Sequence, residues 1–266
     1  MKIPENLNTL KVEEPEPHLW VVRFNRPEVL NALGTKTSQD MRTVFGPLGF
    51  TPGDLRCIIL TGTGDRAFSA GGDLKERHGM TDDAWRLQHA IIEEGAYALL
   101  NCAVPVIAAV NGIAMGGGLE LALCCDFIYA ASTARFALPE VTRGIIPGAG
   151  GTQNLPRAVG ERRAKEIILT GRPFTAVEAF QWGMVNRLCA PGRVVDEALE
   201  TGRGIADNAP ISVRQAKQAI HFGMQMDLAS GMVLEIEAYN RMVPTEDRRE
   251  GVAAFNEKRK PRFKGQ

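Results

Sequence analysis

The sequence predicts an α/β fold that runs on into an all-helical C-terminal segment. Three observations carry this. Short apolar runs of strand character recur through the first half, at His18–Phe24, Cys57–Leu60, Val104–Val110 and Phe127–Ala131. The stretch from Ala108 to Asp126 reads as strand, turn, glycines and helix. From Leu155 onward the texture becomes helical, with the change complete between residues 195 and 210. The expected division is therefore a mixed core over 1–200 and a helical segment over 201–266.

In order, residues 7–12 and 18–24 favour extended structure and form a hairpin that exits at Asn25, Arg26 and Pro27. Asn31–Phe45 is expected to be helical, with Thr37 or Ser38 near its start. Cys57–Leu60 is a buried strand bounded by Asp54 and by Thr61-Gly62-Thr63-Gly64. Thr81 followed by Asp82 and Asp83 opens a helix whose Trp85, Ile92, Ala96 and Leu99 make one packing face. Val104–Val110 is a strand broken at Asn111-Gly112, and Leu119–Cys125 is the helix after the glycines. Helices are expected at Arg162–Leu169, at Thr175–Trp182 with Thr175 as N-cap, at Val194–Asn208 and at Val213–Met224. The last of these carries Val213, Ala216, Ala219 and Ile220 on one face. A final helix opens at Thr245 and ends in the basic run Lys258–Arg262.

The chain has 266 residues, 31 basic and 31 acidic, and is 44% apolar. That is ample for a buried core, and a neutral balance argues against general nucleic-acid binding, whose phosphate contacts need a basic excess. Its apolar runs fall short of the about 20 residues a membrane span needs. The N-terminus is acidic and proline-bearing, unlike a signal or transit peptide. Cys57, Cys102, Cys124, Cys125 and Cys189 lack metal-ligand spacing, so reduced thiols, no metal and a cytoplasmic protein are expected.

Four places can carry chemistry. Gly116-Gly117-Gly118 at a strand-to-helix turn lets backbone N–H groups meet a developing negative charge. Glu120 lies one turn into an otherwise apolar helix, where a carboxylate is costly to bury. Ala70-Gly71-Gly72 is a second small-residue turn, and Glu140 is a second carboxylate, beside Pro139 and ahead of the glycine-rich loop Gly144–Thr152.

Taken together, Ser69-Ala-Gly-Gly-Asp-Leu-Lys75, Val110-Asn-Gly-Ile-Ala-Met-Gly-Gly-Gly-Leu-Glu120 and Pro139-Glu140 with Gly144-Ile-Ile-Pro-Gly-Ala-Gly-Gly-Thr-Gln153 resemble the crotonase (enoyl-CoA hydratase/isomerase) superfamily. They stand in that family's order and near its spacing. Phe24–Leu33 and the tail Phe255-Asn-Glu-Lys-Arg259 extend the resemblance over essentially the whole chain.

The resemblance implies a crotonase (ClpP-like) spiral of ββα units followed by a C-terminal helical trimerisation segment, commonly paired into a hexamer. It implies acyl-CoA thioester substrates, no separate cofactor, and an oxyanion hole from the Gly72 and Gly117 N–H groups. Glu120 would activate the water that attacks C3, and Glu140 would protonate C2. The Gly148 N–H would help hold that water. CoA would lie along Arg26, Val29 and Leu30 and the Ala70–Lys75 loop, near Ala70, Asp73, Leu74 and Lys75. The basic Lys258–Lys260 run has the sign to meet a CoA phosphate.

Two glutamates point to an enoyl-CoA hydratase, since one can hold water while the other supplies a proton to carbon. Asp73-Leu-Lys-Glu-Arg77 resembles 3-methylglutaconyl-CoA hydratases, and Phe136-Ala-Leu-Pro-Glu140 and Trp182–Arg187 resemble carnitinyl-CoA dehydratases. Leu138 departs from the Gln often found there in enoyl-CoA hydratases. A double-bond isomerase would use Glu140 alone, with Glu120 a bystander. An RNA-binding role, seen in one relative with a lysine-rich helix, is disfavoured. Here Thr81–Leu100 carries four acids, one arginine and no lysine.

Overall fold

One unit, used three times, builds two sheets. In the computed structural model, which describes residues 2–266, the chain enters through the antiparallel hairpin β1 (Leu10–Glu16) and β2 (Leu19–Phe24). Helix α1 (Thr35–Phe45) follows. The first unit is β3 (Cys57–Gly62) and β4 (Ala67–Ser69), then helices α2 (Leu74–Arg77) and α3 (Asp82–Leu100). The second is β5 (Val106–Val110), β6 (Ile113–Met115) and α4 (Gly117–Leu123). The third is β7 (Phe127–Ala131), β8 (Arg135–Ala137), α5 (Gly151–Val159) and α6 (Glu161–Thr170). Then come β9 (Phe174–Thr175), α7 (Ala176–Gln181), β10 (Arg187–Cys189) and α8 (Val194–Ala206). The chain closes with α9 (Pro210–Gly223), α10 (Leu228–Asn240) and α11 (Glu246–Asn256).

Each unit sends its first strand to one sheet and its second to the other. The larger sheet runs β1-β2-β3-β5-β7-β10 and is parallel from β2 onward; the smaller runs β4-β6-β8-β9. Strands β3 and β5 are buried on both faces, which explains their unbroken apolar runs. Ile58 and Leu60 join Phe24 and Phe68 in the main core, while Cys57 and Ile59 face Val194 and Ala198 of α8. Gly202 lets α8 lie close: a Cβ there would stand 3.4 Å from Ile59 Cδ1.

The hairpin, the Cys57 strand and the Asn111-Gly112 break stand as expected, shifted by a few residues. Thr175 caps α7, accepting from the Glu178 N–H at 3.1 Å while the Glu178 carboxylate accepts from the Thr175 N–H. Helix α1 starts at Thr35 rather than Asn31. Asn31 instead sits at φ 56°, its amide buried and bonded to Ala67 O, Thr63 O and the Arg26 N–H. The region after Leu155 also holds the short strands β9 and β10, which lack an apolar run long enough to announce them. The predicted face Val213, Ala216, Ala219 and Ile220 is not buried within the chain; Ile220 is 69% exposed. Helix α10 falls within the expected helical segment but is not announced by periodicity, because Glu235 and Glu237 interrupt its apolar residues without making a separate polar face.

Helix α9 is pinned to the core by one ion pair. Lys217 Nζ lies 2.7 Å from Asp126 Oδ2 and donates to Val104 O at 3.0 Å, and the same Asp126 oxygen accepts the Val106 N–H that opens β5. Asp126→Ala leaves a largely buried ammonium without its counter-charge and a strand amide without its acceptor. It is expected to cost about 1–3 kcal/mol, read as a lower urea midpoint.

Candidate active site

Leu33 and Gly72 form a parallel bridge. Leu33 donates to Gly71 O at 2.8 Å, and the Asp73 N–H donates to Leu33 O at 2.9 Å. A parallel rung of this kind engages residues 71 and 73 and turns the Gly72 N–H to the opposite side, toward a cavity. The turn is held by Ser69, fully buried, whose Oγ donates to Asn31 O and accepts from the Gly71 N–H. Gly71 has φ 87°, and a Cβ there would stand 2.5 Å from Met115 O. Only glycine lets the two turns meet so closely.

The second turn is Gly116-Gly117. Gly117 is the first residue of α4, whose opening N–H groups have no partner within the helix. A Cβ on Gly117 would lie 3.9 Å from the Gly72 nitrogen, so the two amides are neighbours across the turn. Gly116 has φ 52°, and a Cβ there would stand 2.8 Å from Glu140 Oε1.

Glu120 is one turn further along α4 and 3% exposed. Its Oε1 accepts the Ala149 and Gly151 N–H groups, each at 2.8 Å. Burial pushes its pKa up, and those amides, with Gly148, pull against the rise. Oε2 keeps its lone pairs for another partner. Glu140 opens a 3-10 turn (Glu140–Arg143), and its buried Oε2 has no hydrogen-bond partner among the described residues. Burial, then the negative charge of Glu120, raise the Glu140 carboxyl to about 7. Two carboxyls of unequal environment therefore face one space.

That space is a cavity of about 1070 Å³. Both glutamates line it, with Ala70, Gly72, Leu74, Gly117 and Gly148. Arg26, Val29, Leu30, Asp73 and Lys75 do not. Arg26 is turned inward, its Nη1 on Ala32 O and its Nη2 2.9 Å from Asp73 Oδ2. Against the upward push of burial, Arg26 and the Glu76 and Lys75 amides hold the Asp73 carboxyl below its usual range.

Residues 14–266 match the family model described as enoyl-CoA hydratase/isomerase. The chain belongs to that family. It is 42% identical to a short-chain-enoyl-CoA hydratase of Clostridium acetobutylicum, over 93% of this chain and 94% of that one. It is 39% identical to a crotonyl-CoA hydratase of Syntrophomonas wolfei, over 94% and 96%. The crystal structure of an enoyl-CoA hydratase from Bacillus anthracis superposes with a TM-score of 0.94 at 42% identity, covering 97% of this chain and all of that one. The crotonase fold expected from the motifs is thus the fold found.

Sequence patterning missed part of this family member's cavity wall. Helix α3 packs on α1, but Trp85 and Ile92 of the face expected to pack line the cavity, with His89 beside them. His89 lies against Gly148 and pairs with Glu93 at 3.2 Å. A histidine four residues before a glutamate on an amphipathic helix was the available signal. No helix among the described residues is long and apolar enough to cross a membrane.

Because the Glu120 charge is one cause of the raised Glu140 pKa, Glu120→Gln is expected to lower it. Carbon-13 NMR of the side-chain carboxyl checks this; an unchanged or rising value contradicts the coupling. A raised carboxyl pKa contributes stability that is full below its ordinary 4.5 and lost as pH rises through about 7. Glu140→Gln should therefore flatten the fall in melting temperature across that window.

Proposed function

We propose that this protein adds water across the 2,3 double bond of a 2-enoyl-CoA thioester, reversibly, with Glu120 and Glu140 as its working carboxyls. The observation that carries the reading is the unequal pair of acids beside two neighbouring backbone amides. The thioester carbonyl accepts from the Gly72 and Gly117 N–H groups. Attack at C3 drives charge onto that oxygen, and fixed donors there stabilise it by about 3–4 kcal/mol each in other enzymes. Glu120, anchored through Oε1, offers Oε2 to the water and takes its proton as the oxygen bonds to C3. The Gly148 N–H helps hold the water. Glu140, protonated near neutral pH, gives its proton to C2.

Atoms and electrons balance with water as the sole co-reactant, so the reaction asks for no cofactor or metal beyond the CoA of the substrate. CoA runs over the surface made by Arg26, Val29, Leu30, Asp73 and Lys75, toward a phosphate contact with the basic Lys258–Lys260 run. Residues 1–200 carry the site and 201–266 mediate self-association as a trimer or a pair of trimers. The exposed apolar residues Ile220, Met224, Leu228, Met232, Val233 and Ile236 support that role. A cytoplasmic location, where free thiols stay reduced, completes the proposal.

Crotonyl-CoA hydration, followed by loss of enone absorbance, tests it. Glu120→Gln and Glu140→Gln are each expected to lower kcat on the order of 10²-fold or more. A 3-enoyl thioester converted to the 2-enoyl isomer with Glu120 dispensable would favour isomerase chemistry instead. With a carboxyl near 7 as proton donor, kcat/KM of the wild type is expected to decline as pH rises above about 7. A profile flat to pH 9 would remove Glu140 from that role.

A further inference from the structure

Each hydration ends with Glu120 protonated and Glu140 ionised, and the next one needs the reverse. Product lying between the two carboxyls blocks a direct transfer. The proton on Glu120 therefore needs a way out on its own side, and Glu140 needs one from solvent. Glu120 Oε1 is committed to the Ala149 and Gly151 N–H groups, so Oε2 is the oxygen that carries and releases it.

His89 of α3 lines the same cavity as both glutamates. Its ring packs on Gly148: a Cβ there would stand 2.4 Å from Cε1 and 2.8 Å from Nε2. Gly148 belongs to the loop that wraps Glu120, so imidazole and carboxylate flank one short stretch of backbone. They are close enough for a charge on the ring to favour the ionised form of Glu120. That loop, Gly144–Gly150, has no ionisable side chain of its own. On its other side, His89 Nε2 lies 3.2 Å from Glu93 Oε1, one turn further along α3. The His89 and Glu93 side chains are 35% and 44% exposed while Glu120 is buried, so the three groups step from the interior to solvent. The other cations lining the cavity among the described residues are Arg77, Arg86 and Arg143. A guanidinium does not give up its proton. His89 is therefore the cavity base that can pass one on.

Imidazole takes up and releases protons near neutral pH, and its two ring nitrogens let it do so on opposite sides. We propose that His89 and Glu93 form a proton port for the site, carrying to solvent the proton that Glu120 takes from water. This rests on the hydratase reading above and adds how that site resets between turnovers. The O–H bond of the Glu120 carboxyl breaks, and its proton passes through a cavity water to the ring nitrogen that does not face Glu93. The Nε2 proton leaves to the Glu93 carboxylate and from there to bulk water. Glu140 takes a proton back from solvent. One proton leaves and one enters, so atoms and charge balance. His89 touches no reacting atom and acts through Glu120.

The test separates the first turnover from those that follow it. Stopped flow with enzyme in excess over crotonyl-CoA gives the first, and substrate in excess gives kcat. In His89→Gln the first turnover is expected within about twofold of wild type while kcat falls about tenfold, a modest share of what general acid–base groups contribute. Excess substrate should then show a burst of one equivalent followed by a slow phase. Imidazole buffer, a soluble proton carrier, should speed the slow phase back toward wild type, and sodium chloride at the same ionic strength should not. Glu93→Gln should give the same pattern more weakly. Because Glu93 is exposed, that variant tests the port even where His89→Gln fails to fold. A first turnover slowed as much as kcat marks a packing role under the Gly148 loop and overturns the proposal. So does an unchanged kcat in both variants, or a slow phase indifferent to imidazole. If wild type hydrates crotonyl-CoA under any of these outcomes, the hydratase reading survives and the port does not. A wild type inert on crotonyl-CoA condemns the hydratase reading, and the port with it.

Discussion

The rung between Leu33 and Gly72 sets the direction of one amide, and the site is arranged around that direction. It draws the turn after β4 against the segment leading into α1, and spends the flanking 71 and 73 groups on protein partners. Gly72 is left with its N–H unclaimed on the cavity side. Everything near it serves the same placement. The buried Ser69 hydroxyl ties the turn to Asn31, the amide of Asn31 ties that segment to β4, and Gly71 admits the carbonyl of Met115. The parallel pairing of β4 with β6 in the smaller sheet places two turns from separate units next to each other.

The two glutamates differ because the backbone treats them differently. Glu120 meets two amides from the start of α5, which pull against the rise that burial causes. Glu140 meets no donor at Oε2. With the proposed roles, the pair carries one proton in both directions of the reaction, on Glu140 before hydration and on Glu120 after it. Hydration and dehydration then share one active protonation state, as an equilibrium that releases no net proton requires.

Much of this was legible in the residues. Glycines flanking strands, a lone acid in the α4 run and a second beside Pro139 identified the working groups. Their ordered spacing gave the family and with it the spiral. The wall of the cavity was not legible. Trp85 and Ile92 lie on the face of α3 that reads as packing, and periodicity does not separate a residue packed on a neighbouring helix from one that lines a cavity. The inward turn of Arg26 onto Asp73 was equally hidden, because the pair is 47 residues apart and meets only once the Leu33 rung has formed. The helical ends were blurred for a different reason: Asn31 looks like a helix residue until its left-handed backbone places its amide in the core.

All five cysteines are free, and four of them are buried. Burial pushes the Cys102 thiol to about 11 and those of Cys57, Cys124 and Cys189 to about 12, with Cys125 higher than its ordinary value as well. At neutral pH the thiolate fraction is then roughly one in ten thousand or less. Peroxide, disulfides and alkylating reagents all react through the thiolate, so a chain with adjacent cysteines a few residues from its working glutamate is nonetheless chemically quiet. Its cysteines are kept unreactive by burial rather than by omission.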